Sequence, residues 1–417
     1  MDALQRVRSY ATNLSRLKQG IKYSVKVLLI GVGRQGKAAL YDLVYSDDVS
    51  EVVAADIDLA GLQAYMSGQP YASEVRCEQV DSNSAESLDR LMSQGFDVVV
   101  DLGNPLLRDN VFAAALRHKV HLVHSAYSTP EQHRLSSEAA ANGITILPEF
   151  GLDPGIDLVL LGEVVRSFDQ VEEIISYGAG FPAPEASNNP LKYKLTWLIE
   201  GLFRTYYRAG RVIRDGKIIN IKETEIFSPE HIHEIELRGL GRLEAYPNSD
   251  ALIYADLLGI NPATLRNLGR YVLRWPGHSA FWKTLVDLHF LDMEPLSVDG
   301  QNIDRRHYLA ALLEPQLQYR DDESDVVVVR IEVTGKKDGK NRRALSQVID
   351  YRDFETGFTA MNRTVGYTAS IGAMMIGTGQ ITKRGLLTPV TDVPYETFVR
   401  ELDKRGIHVT SEIEPVA

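Results

Sequence analysis

The sequence predicts a doubly wound α/β domain with a parallel sheet, joined to an α+β domain with an antiparallel sheet. Apolar strand-like runs alternate with helix-like segments between about residues 25 and 150, which is typical of parallel βαβ units. After about residue 155 neighbouring strand-like segments are joined by short polar turns, as in antiparallel hairpins. The chain has 417 residues, which is long enough for both domains.

The first predicted strand ends in the most informative turn of the chain. Val25–Ile30 is an apolar run of the kind found in buried parallel strands, and Gly31-Val-Gly33-Arg-Gln-Gly36 follows it directly. Gly31 permits a tight turn, Gly33 lets the backbone approach a pyrophosphate, and Gly36 lets the next helix pack closely on the strand. A helix over about residues 37–45 then offers N–H groups to the phosphates. The pattern predicts a dinucleotide site of the Rossmann type.

The second predicted strand, at 52–55, ends in Asp56, which follows Gly36 by 20 residues. An acidic residue at this position can accept hydrogen bonds from the hydroxyls of the adenosine ribose. Its charge would also repel a 2′-phosphate. The sequence therefore predicts NAD rather than NADP as the cofactor.

Further elements complete the predicted parallel domain. The strands are predicted at 75–80, 97–101, 121–124 and 144–147, and the helices at 85–93, 106–118 and 130–142. Ligands of such domains bind at the carboxyl ends of the strands. Besides the three glycines and Asp56, the cofactor candidates lie in the glycine turn or just beyond a strand: Arg34, Gln35, Asp81, Asn104 and Ser125.

The α+β domain is predicted from three groups of strand-like residues. One strand covers 171–177, a hairpin joins 211–214 to 217–219, and a long hairpin joins 325–333 to 344–351 across a polar turn at 335–343. Helices are predicted at 281–289, 370–378 and 395–405.

Residues 1–23 have apolar side chains at helical spacing, and basic residues outnumber Asp2, the single acid. We expect an amphipathic helix packed on the first domain, and a short transit peptide is the alternative.

Composition narrows the function classes. The net charge of −11 disfavours nucleic acid and anionic membrane surfaces as partners, and no apolar run approaches the length of a membrane span. The single cysteine, Cys77, excludes an intramolecular disulfide and indicates a cytoplasmic setting. His231 and His233 could share a strand face, but no third ligand can be assigned. We therefore predict no metal site.

Two carboxylates lie where the last parallel strand should end. Glu149 at a strand end, if desolvated, could have a raised pKa and move protons. Asp153 precedes Pro154 and Gly155, so it could equally start a turn and cap the following helix. Both are candidate catalytic residues.

Cationic residues of the second domain suggest a site for carboxylates. If the segment around residue 193 is extended, Lys192 and Lys194 share a face, either towards substrate or as a solvated edge. Arg274 suits a carboxylate clamp, and His278 four residues later could act as acid or base, although a lone histidine is more often structural.

Several motifs resemble the saccharopine dehydrogenase family, between about Val25 and Glu412. Motifs similar to its saccharopine-acting branch are Ser125-Ala-Tyr127, Gly151-Leu-Asp-Pro-Gly-Ile-Asp157, Phe181-Pro-Ala-Pro-Glu185 and Asn189-Pro-Leu-Lys-Tyr193. Features more similar to lysine 6-dehydrogenase of the same family are Asp56, Arg274-Trp-Pro-Gly-His278 and Ile381-Thr-Lys-Arg-Gly385.

The resemblance implies that hydride leaves a carbon bonded to nitrogen, giving an imine that water hydrolyses. Saccharopine carries three carboxylates, and the cations Lys192, Lys194, Arg242 and Arg274 could bind them. We therefore favour saccharopine as the substrate, with glutamate as one product. Oxidative deamination of lysine at its ε-carbon and NAD binding without catalysis are the alternatives. Candidate substrate-binding residues are Tyr127, Tyr193, Lys194, Arg242 and Arg274, and Lys192 joins the catalytic candidates.

The resemblance also implies the domain organisation and the assembly. The dinucleotide-binding domain would comprise residues 24–155 and, because the C-terminal helices return to it, about 361–417. Residues 156–360 would form the substrate and dimerisation domain. We expect a homodimer that binds a small amino-acid substrate.

Overall fold

The computed structural model describes residues 23–416 of the chain. The expected N-terminal helix, and its transit-peptide alternative, lie outside the described residues apart from Tyr23. Within residues 23–416, no helix is both long and apolar enough to cross a bilayer.

The strands of the described chain are numbered in sequence order: β1 (Val25–Ile30), β2 (Val49–Asp56), β3 (Val75–Gln79), β4 (Val98–Asp101), β5 (His121–His124), β6 (Thr145–Leu147), β7 (Gln170–Pro182), β8 (Gly210–Arg214), β9 (Lys217–Ile221), β10 (His233–Leu237), β11 (Gly241–Pro247), β12 (Asn267–Arg274), β13 (Leu296–Val298), β14 (Gln301–Ile303), β15 (Asp325–Lys337), β16 (Lys340–Tyr351), β17 (Gly385–Leu386) and β18 (Val409–Pro415).

The α-helices are numbered in the same way: α1 (Arg34–Val44), α2 (Leu59–Ser67), α3 (Ala85–Met92), α4 (Arg108–His118), α5 (Pro130–Arg134), α6 (Ser136–Ala141), α7 (Ile156–Arg166), α8 (Ile199–Tyr206), α9 (Leu252–Leu258), α10 (His278–Asp287), α11 (Arg305–Leu313), α12 (Ala360–Gly377), α13 (Pro389–Asp392) and α14 (Tyr395–Lys404).

The first of two compact units contains residues up to 159 and residues 362–406. Its seven strands form one sheet in the order β17-β6-β5-β4-β1-β2-β3, and every neighbouring pair is parallel. The central strands β1 and β4 are largely apolar, with Val27–Ile30 and Val98–Val100 fully buried, because both faces of the sheet are covered. The prediction of a doubly wound parallel sheet is confirmed.

The second unit contains residues 160–361 and the residues from 407 onward. Its main sheet has the strand order β10-β11-β12-β7-β15-β16-β18, with β8 and β9 attached to β12. Only the β7–β12 pair is parallel among these described pairs, and the others are antiparallel. This mixed sheet, with its helices, is the α+β domain that the sequence predicts.

The long hairpin has a shorter turn than the sequence predicts. Strands β15 and β16 pair continuously until Lys337 meets Lys340, so the turn is Asp338-Gly339 rather than residues 335–343. Both turn residues have positive φ, 52° and 68°, which suits the twist of a two-residue hairpin. The polar residues that suggested a loop form exposed or half-buried strand ends instead.

The chain end also differs from the expected domain boundary. Strand β18 pairs with β16 over seven residues, from Val348–Val409 to Arg342–Pro415. It therefore belongs to the second unit, while α14 belongs to the first. The hydrophobic pattern of an exposed edge strand is weak, and most of β18 is indeed exposed, so the sequence contained little signal for this pairing.

The carboxylate of Asp325, at the first residue of β15, fixes the start of α12. Its two oxygens accept the backbone N–H groups of Ala360 at 2.7 Å and Met361 at 3.0 Å. Asp325 is fully buried, and burial raises the pKa of its carboxyl to about 6. The two hydrogen bonds satisfy N–H groups that a helix leaves unpaired at its first turn.

We expect Asp325→Asn to destabilise the protein by about 1–3 kcal/mol, because the amide offers only one acceptor to two buried N–H groups. Urea denaturation followed by circular dichroism measures this loss. The control Asp321→Asn changes an exposed carboxylate and should stay within about 0.5 kcal/mol of the parent. Equal stability of the two variants would contradict the capping role.

Candidate functional site

The glycine turn after β1 has no room for side chains where the chain passes close to itself. Gly31 has φ of 85°, and a Cβ atom there would lie 2.4 Å from the nitrogen of Gly103. A Cβ atom on Gly36 would lie 2.0 Å from the carbonyl oxygen of Gly31. At Gly33, by contrast, a Cβ atom would meet no described atom within 4 Å. The open side at Gly33 fits the approach of a pyrophosphate to the backbone.

Helix α1 begins directly at this open side. No side chain of the described residues caps it, and its first turn contains no acidic residue. Its N-terminal N–H groups and the helix dipole therefore favour an anionic group. Arg34 and Gln35 form the start of this helix.

Asp56 stands at the end of β2, and its carboxylate is held against the glycine turn. One oxygen accepts the N–H of Val32 at 2.7 Å, and the other accepts the N–H of Asp58 at 3.0 Å. These hydrogen bonds fix a negative charge beside the turn. The residues around the turn thus fit a dinucleotide.

Three other predicted cofactor residues follow strands of the same parallel sheet, and two of them also organise local turns. Asp81 accepts the N–H of Asn83 at 2.8 Å beyond β3, and Asn104 accepts the N–H of Leu106 at 3.0 Å beyond β4. Ser125 follows β5. The structure thus places these residues just beyond the carboxyl ends of three strands of one parallel sheet, of which β4 and β5 are neighbours and β3 is the edge strand.

Two buried polar residues at this edge were not predicted as site residues. Asp101 ends β4, and burial raises its pKa to about 6 despite the hydrogen bond from the Gly103 N–H at 3.0 Å. His124 ends β5, and burial lowers its pKa to about 4, so the imidazole is neutral. An acidic residue closing an apolar run, as at Asp56, was the available signal for Asp101.

Glu149 lies just beyond β6 in a buried position, with only 5% of its surface exposed. Its φ is 58°, an uncommon conformation for a residue with a side chain. Its Oε1 atom accepts both the backbone N–H of Ser128 at 3.0 Å and the hydroxyl of Ser128 at 2.9 Å. Within the described chain, both of these hydrogen bonds end on Oε1 and leave Oε2 for another group.

The segment after Glu149 forms a tight turn into α7. Asp157 is fully buried and accepts the N–H of Gly155 at 2.7 Å, so Asp157 stabilises the turn. Asp153 and Tyr127 are both partly buried in the same unit, and each makes contacts with its neighbours. The structure leaves the catalytic assignment of Asp153 as a prediction.

The expectation that Lys192 and Lys194 share a face of an extended segment is wrong. Lys192 is exposed and has φ of 46°, which turns the chain at this point. Lys194 is buried, and its Nζ atom lies 2.5 Å from Oε2 of Glu323, with both side chains about 5% exposed or less. A buried ammonium needs a buried counterion, so Lys194 lies in the interior with Glu323, whereas Lys192 lies at the surface.

Glu323 is a further residue that the sequence did not single out. Burial raises the pKa of its carboxyl, but hydrogen bonds from Lys194, the Arg320 N–H and Asn188 outweigh burial and lower it to about 2. Glu323 therefore remains ionised and neutralises Lys194. Its partner is 129 residues away in the sequence, so spacing offered no signal.

Arg274 occupies a buried box of aromatic side chains in the second unit. Its guanidinium carbon lies 4.9 Å from the ring centre of Tyr193 and 5.9 Å from that of Tyr246. The side chain donates to the carbonyl of Leu273 at 2.8 Å, and its Nε atom has no hydrogen-bond partner. No Asp or Glu of the described chain pairs with this cation.

His278 lies in the same aromatic box and is not a group that titrates near neutral pH. Its Nε2 atom lies 2.8 Å from the hydroxyl of Tyr206, and the ring stacks on Tyr246 at a 10° interplanar angle. Burial and the nearby charge of Arg274 hold the pKa of His278 well below its usual value. The imidazole is therefore neutral and positioned by its neighbours.

Arg242 and the histidine pair lie outside this box. Arg242 is 66% exposed, and its guanidinium pairs with Glu234 at 3.3 Å across the β10–β11 hairpin. His233 contacts the hydroxyl of Tyr177 at 3.0 Å, and His231 precedes the strand. In residues 23–416, no three His, Cys, Asp or Glu side chains are grouped to hold a metal ion.

Two consecutive parts of the chain match models of known protein families. Residues 27–147 match the saccharopine dehydrogenase NADP binding domain, and residues 151–407 match the saccharopine dehydrogenase C-terminal domain. The first unit is therefore a pyridine-nucleotide-binding domain, which confirms the dinucleotide prediction at that level.

Individual proteins give the same result. The glutamate-forming, NADP(+) saccharopine dehydrogenase of Saccharomyces cerevisiae is 29% identical, and the match covers 92% of this chain and 98% of that protein. The mitochondrial alpha-aminoadipic semialdehyde synthase of Mus musculus is 25% identical, and the match covers 97% of this chain and 49% of the mouse protein.

A solved structure also matches over almost the whole chain. The apo, histidine-tagged, glutamate-forming saccharopine dehydrogenase of Saccharomyces cerevisiae superposes with a TM-score of 0.81 at 26% identity, covering 94% of this chain and 100% of that one. The resemblance seen in the sequence motifs is confirmed. The chain belongs to the saccharopine dehydrogenase family, a family of amino-acid dehydrogenases.

Proposed function

We propose that this protein oxidises saccharopine with NAD and releases glutamate and the lysine semialdehyde. The observation that carries the proposal is Arg274, a buried cation with no carboxylate partner among the described residues. The names of the relatives and the pyridine-nucleotide-binding domain support the reaction class. Saccharopine offers three carboxylates, whereas lysine offers one.

The charge of Arg274 supports an anionic substrate. An arginine removed from water is costly unless an anion or several acceptors compensate it. The surrounding tyrosine rings supply part of this compensation through cation–π contacts, and the unpaired Nε atom remains a donor. A substrate carboxylate could accept from this planar guanidinium. Lys194 contributes less, because Glu323 already neutralises it.

In the proposed site the protein's task is to bind, orient and deprotonate. When bound, the nicotinamide supplies the acceptor for hydride from the carbon next to nitrogen. Gly31, Gly33, Gly36 and the start of α1 would hold the pyrophosphate. Arg274 would hold a substrate carboxylate.

Glu149 is our choice for the group that accepts the substrate proton. It is buried, it lies at a strand end, and the hydrogen bonds to its Oε1 atom hold the carboxylate in place. The other candidates fit this role less well, because His278 is already hydrogen-bonded to Tyr206 and Lys192 is an exposed turn residue. Asp153 would then position the turn or the substrate.

The preference for NAD rests on Asp56. Its carboxylate is fixed by two backbone N–H groups, so it cannot easily turn away from a nearby phosphate. A ribose 2′-hydroxyl can donate to it, whereas a 2′-phosphate would be repelled. We therefore propose NAD for this chain, although the matched domain and the yeast relative carry NADP in their names.

We also propose a cytoplasmic homodimer. A single cysteine supports a reducing compartment. Sedimentation of the purified protein at several concentrations tests the dimer, and a monomer throughout would contradict it.

The substrate assignment predicts NADH formation from saccharopine and none, or far less, from lysine. The difference is expected because only saccharopine has carboxylates on both sides of its secondary amine. Steady-state absorbance at 340 nm with each amino acid and saturating NAD measures it. Turnover of lysine alone would favour ε-deamination, and cofactor binding without turnover of either would favour the non-catalytic alternative.

The cofactor assignment predicts that Asp56→Ala lowers the preference for NAD over NADP by about tenfold or more, since charge repulsion and a charged hydrogen bond are both lost. The ratio of kcat/KM for the two cofactors measures this change. Asp47→Ala removes an exposed carboxylate ahead of β2 and should leave the ratio unchanged. An unaltered ratio in Asp56→Ala would count against the assigned role.

The carboxylate assignment predicts that Arg274→Met raises the apparent KM for saccharopine by roughly 10- to 100-fold, because a charged hydrogen bond is removed. The methionine keeps much of the buried volume, and a melting curve checks that the variant is folded. Arg242→Met removes an exposed, paired arginine and should change KM little. Similar KM values for the two folded variants would exclude Arg274 from the clamp.

A further inference from the structure

We propose that Ser128 and His133 form a proton route that connects the buried carboxylate of Glu149 with solvent. The proposal rests on the proposed function, in which Glu149 accepts a proton from the substrate. It assigns a role in turnover to two residues that do not contact the reacting atoms.

The three side chains form a continuous hydrogen-bonded chain. The hydroxyl oxygen of Ser128 lies 2.9 Å from Oε1 of Glu149 and 3.1 Å from Nε2 of His133. Glu149 is buried, Ser128 is partly buried, and His133 is exposed. The chain therefore runs from the interior of the first unit to its surface.

The proposed reaction requires such a route. Saccharopine, NAD and water give glutamate, the semialdehyde, NADH and one proton, so each turnover releases one proton to solvent. A carboxylate with 5% of its surface exposed exchanges protons slowly with bulk water unless another group connects them. Without an exit, Glu149 would stay protonated and could not accept the next substrate proton.

One proton moves from Glu149 through Ser128 to His133, and no group is oxidised or reduced. With its proton on Oε1, Glu149 donates to the Ser128 oxygen while the Ser128 hydroxyl proton passes to Nε2 of His133, which requires the His133 tautomer with its proton on Nδ1. The protonated imidazole, which is exposed, then gives a proton from its ring to water or buffer. Rotation of the hydroxyl resets Ser128.

Local structure holds the three groups in register. The backbone N–H of Glu149 donates to the carbonyl of Ala126 at 2.9 Å, beside Ser128. On the other side, Thr129 forms a capping box with Gln132 at the start of α5, the helix that contains His133. Ser128 is thus fixed between a buried turn and a capped helix.

The test measures whether added buffer replaces the route. At saturating saccharopine and NAD in a dilute, bulky buffer, Ser128→Ala and His133→Gln should each lower kcat by roughly tenfold, with KM unchanged. Added imidazole should restore most of the lost kcat in both variants. The control Arg134→Gln alters an exposed side chain of the same helix and should match the parent with or without imidazole.

A defect in either variant that imidazole does not relieve, or no defect at all, would overturn the proposal. His133 is exposed, so His133→Gln is a substitution that the fold should tolerate, and circular dichroism checks Ser128→Ala. A merely structural hydrogen bond would affect stability without making kcat depend on buffer.

A second measurement needs no turnover. In 15N-histidine NMR spectra of the free protein, the His133 signals are identified by their loss in His133→Gln. Both Ser128→Ala and Glu149→Gln should shift these signals, whereas Arg134→Gln should not. Unshifted signals would disprove the chain itself. If the parent protein failed to oxidise saccharopine, the proposed function would fall while this spectrum still tested the connection.

Discussion

The close approach of backbone to backbone at Gly31 is the constraint on which the first unit depends. A Cβ atom at Gly31 or Gly36 would overlap atoms of the same unit, so β1, α1 and the loop after β4 can meet only through glycine. Because they meet, the N-terminus of α1 opens beside Gly33 and Asp56 can reach the Val32 N–H. The binding surface is therefore a consequence of missing side chains as much as of those present.

Sequence patterns predicted the parallel sheet well because its strands are buried on both faces. Val25–Ile30 and the strand ending at Asp101 are nearly continuous apolar runs, which few other structures require. Strand β18 was missed because a solvated edge strand needs no such pattern. The hairpin turn was placed too broadly for a related reason, since polar residues can continue a strand wherever one face meets water.

The candidate site was harder to predict, because its chemistry depends on pairings between distant positions. Glycine spacing and Asp56 are local signals, and they were recognised. Nothing near Lys194 in the sequence indicated that Glu323 would neutralise it, and nothing near Arg274 indicated that no carboxylate would. The exposed position of Lys192 likewise follows from a left-handed backbone conformation that residue type does not specify. Which cation is available to a ligand is a tertiary property.

Both units are built from separate stretches of the chain, so neither sheet can be completed early in biosynthesis. The polypeptide passes from one unit to the other three times, near residues 160, 361 and 407, so neither unit is a continuous stretch. During translation the edge of β6 in the parallel sheet stays unpaired until β17 is made, and the edge of β16 stays unpaired until β18 is made. Ribosome-bound intermediates therefore expose unfinished sheet edges until β17 and β18 have been synthesised, and chaperone capture would protect the nascent chain up to that point.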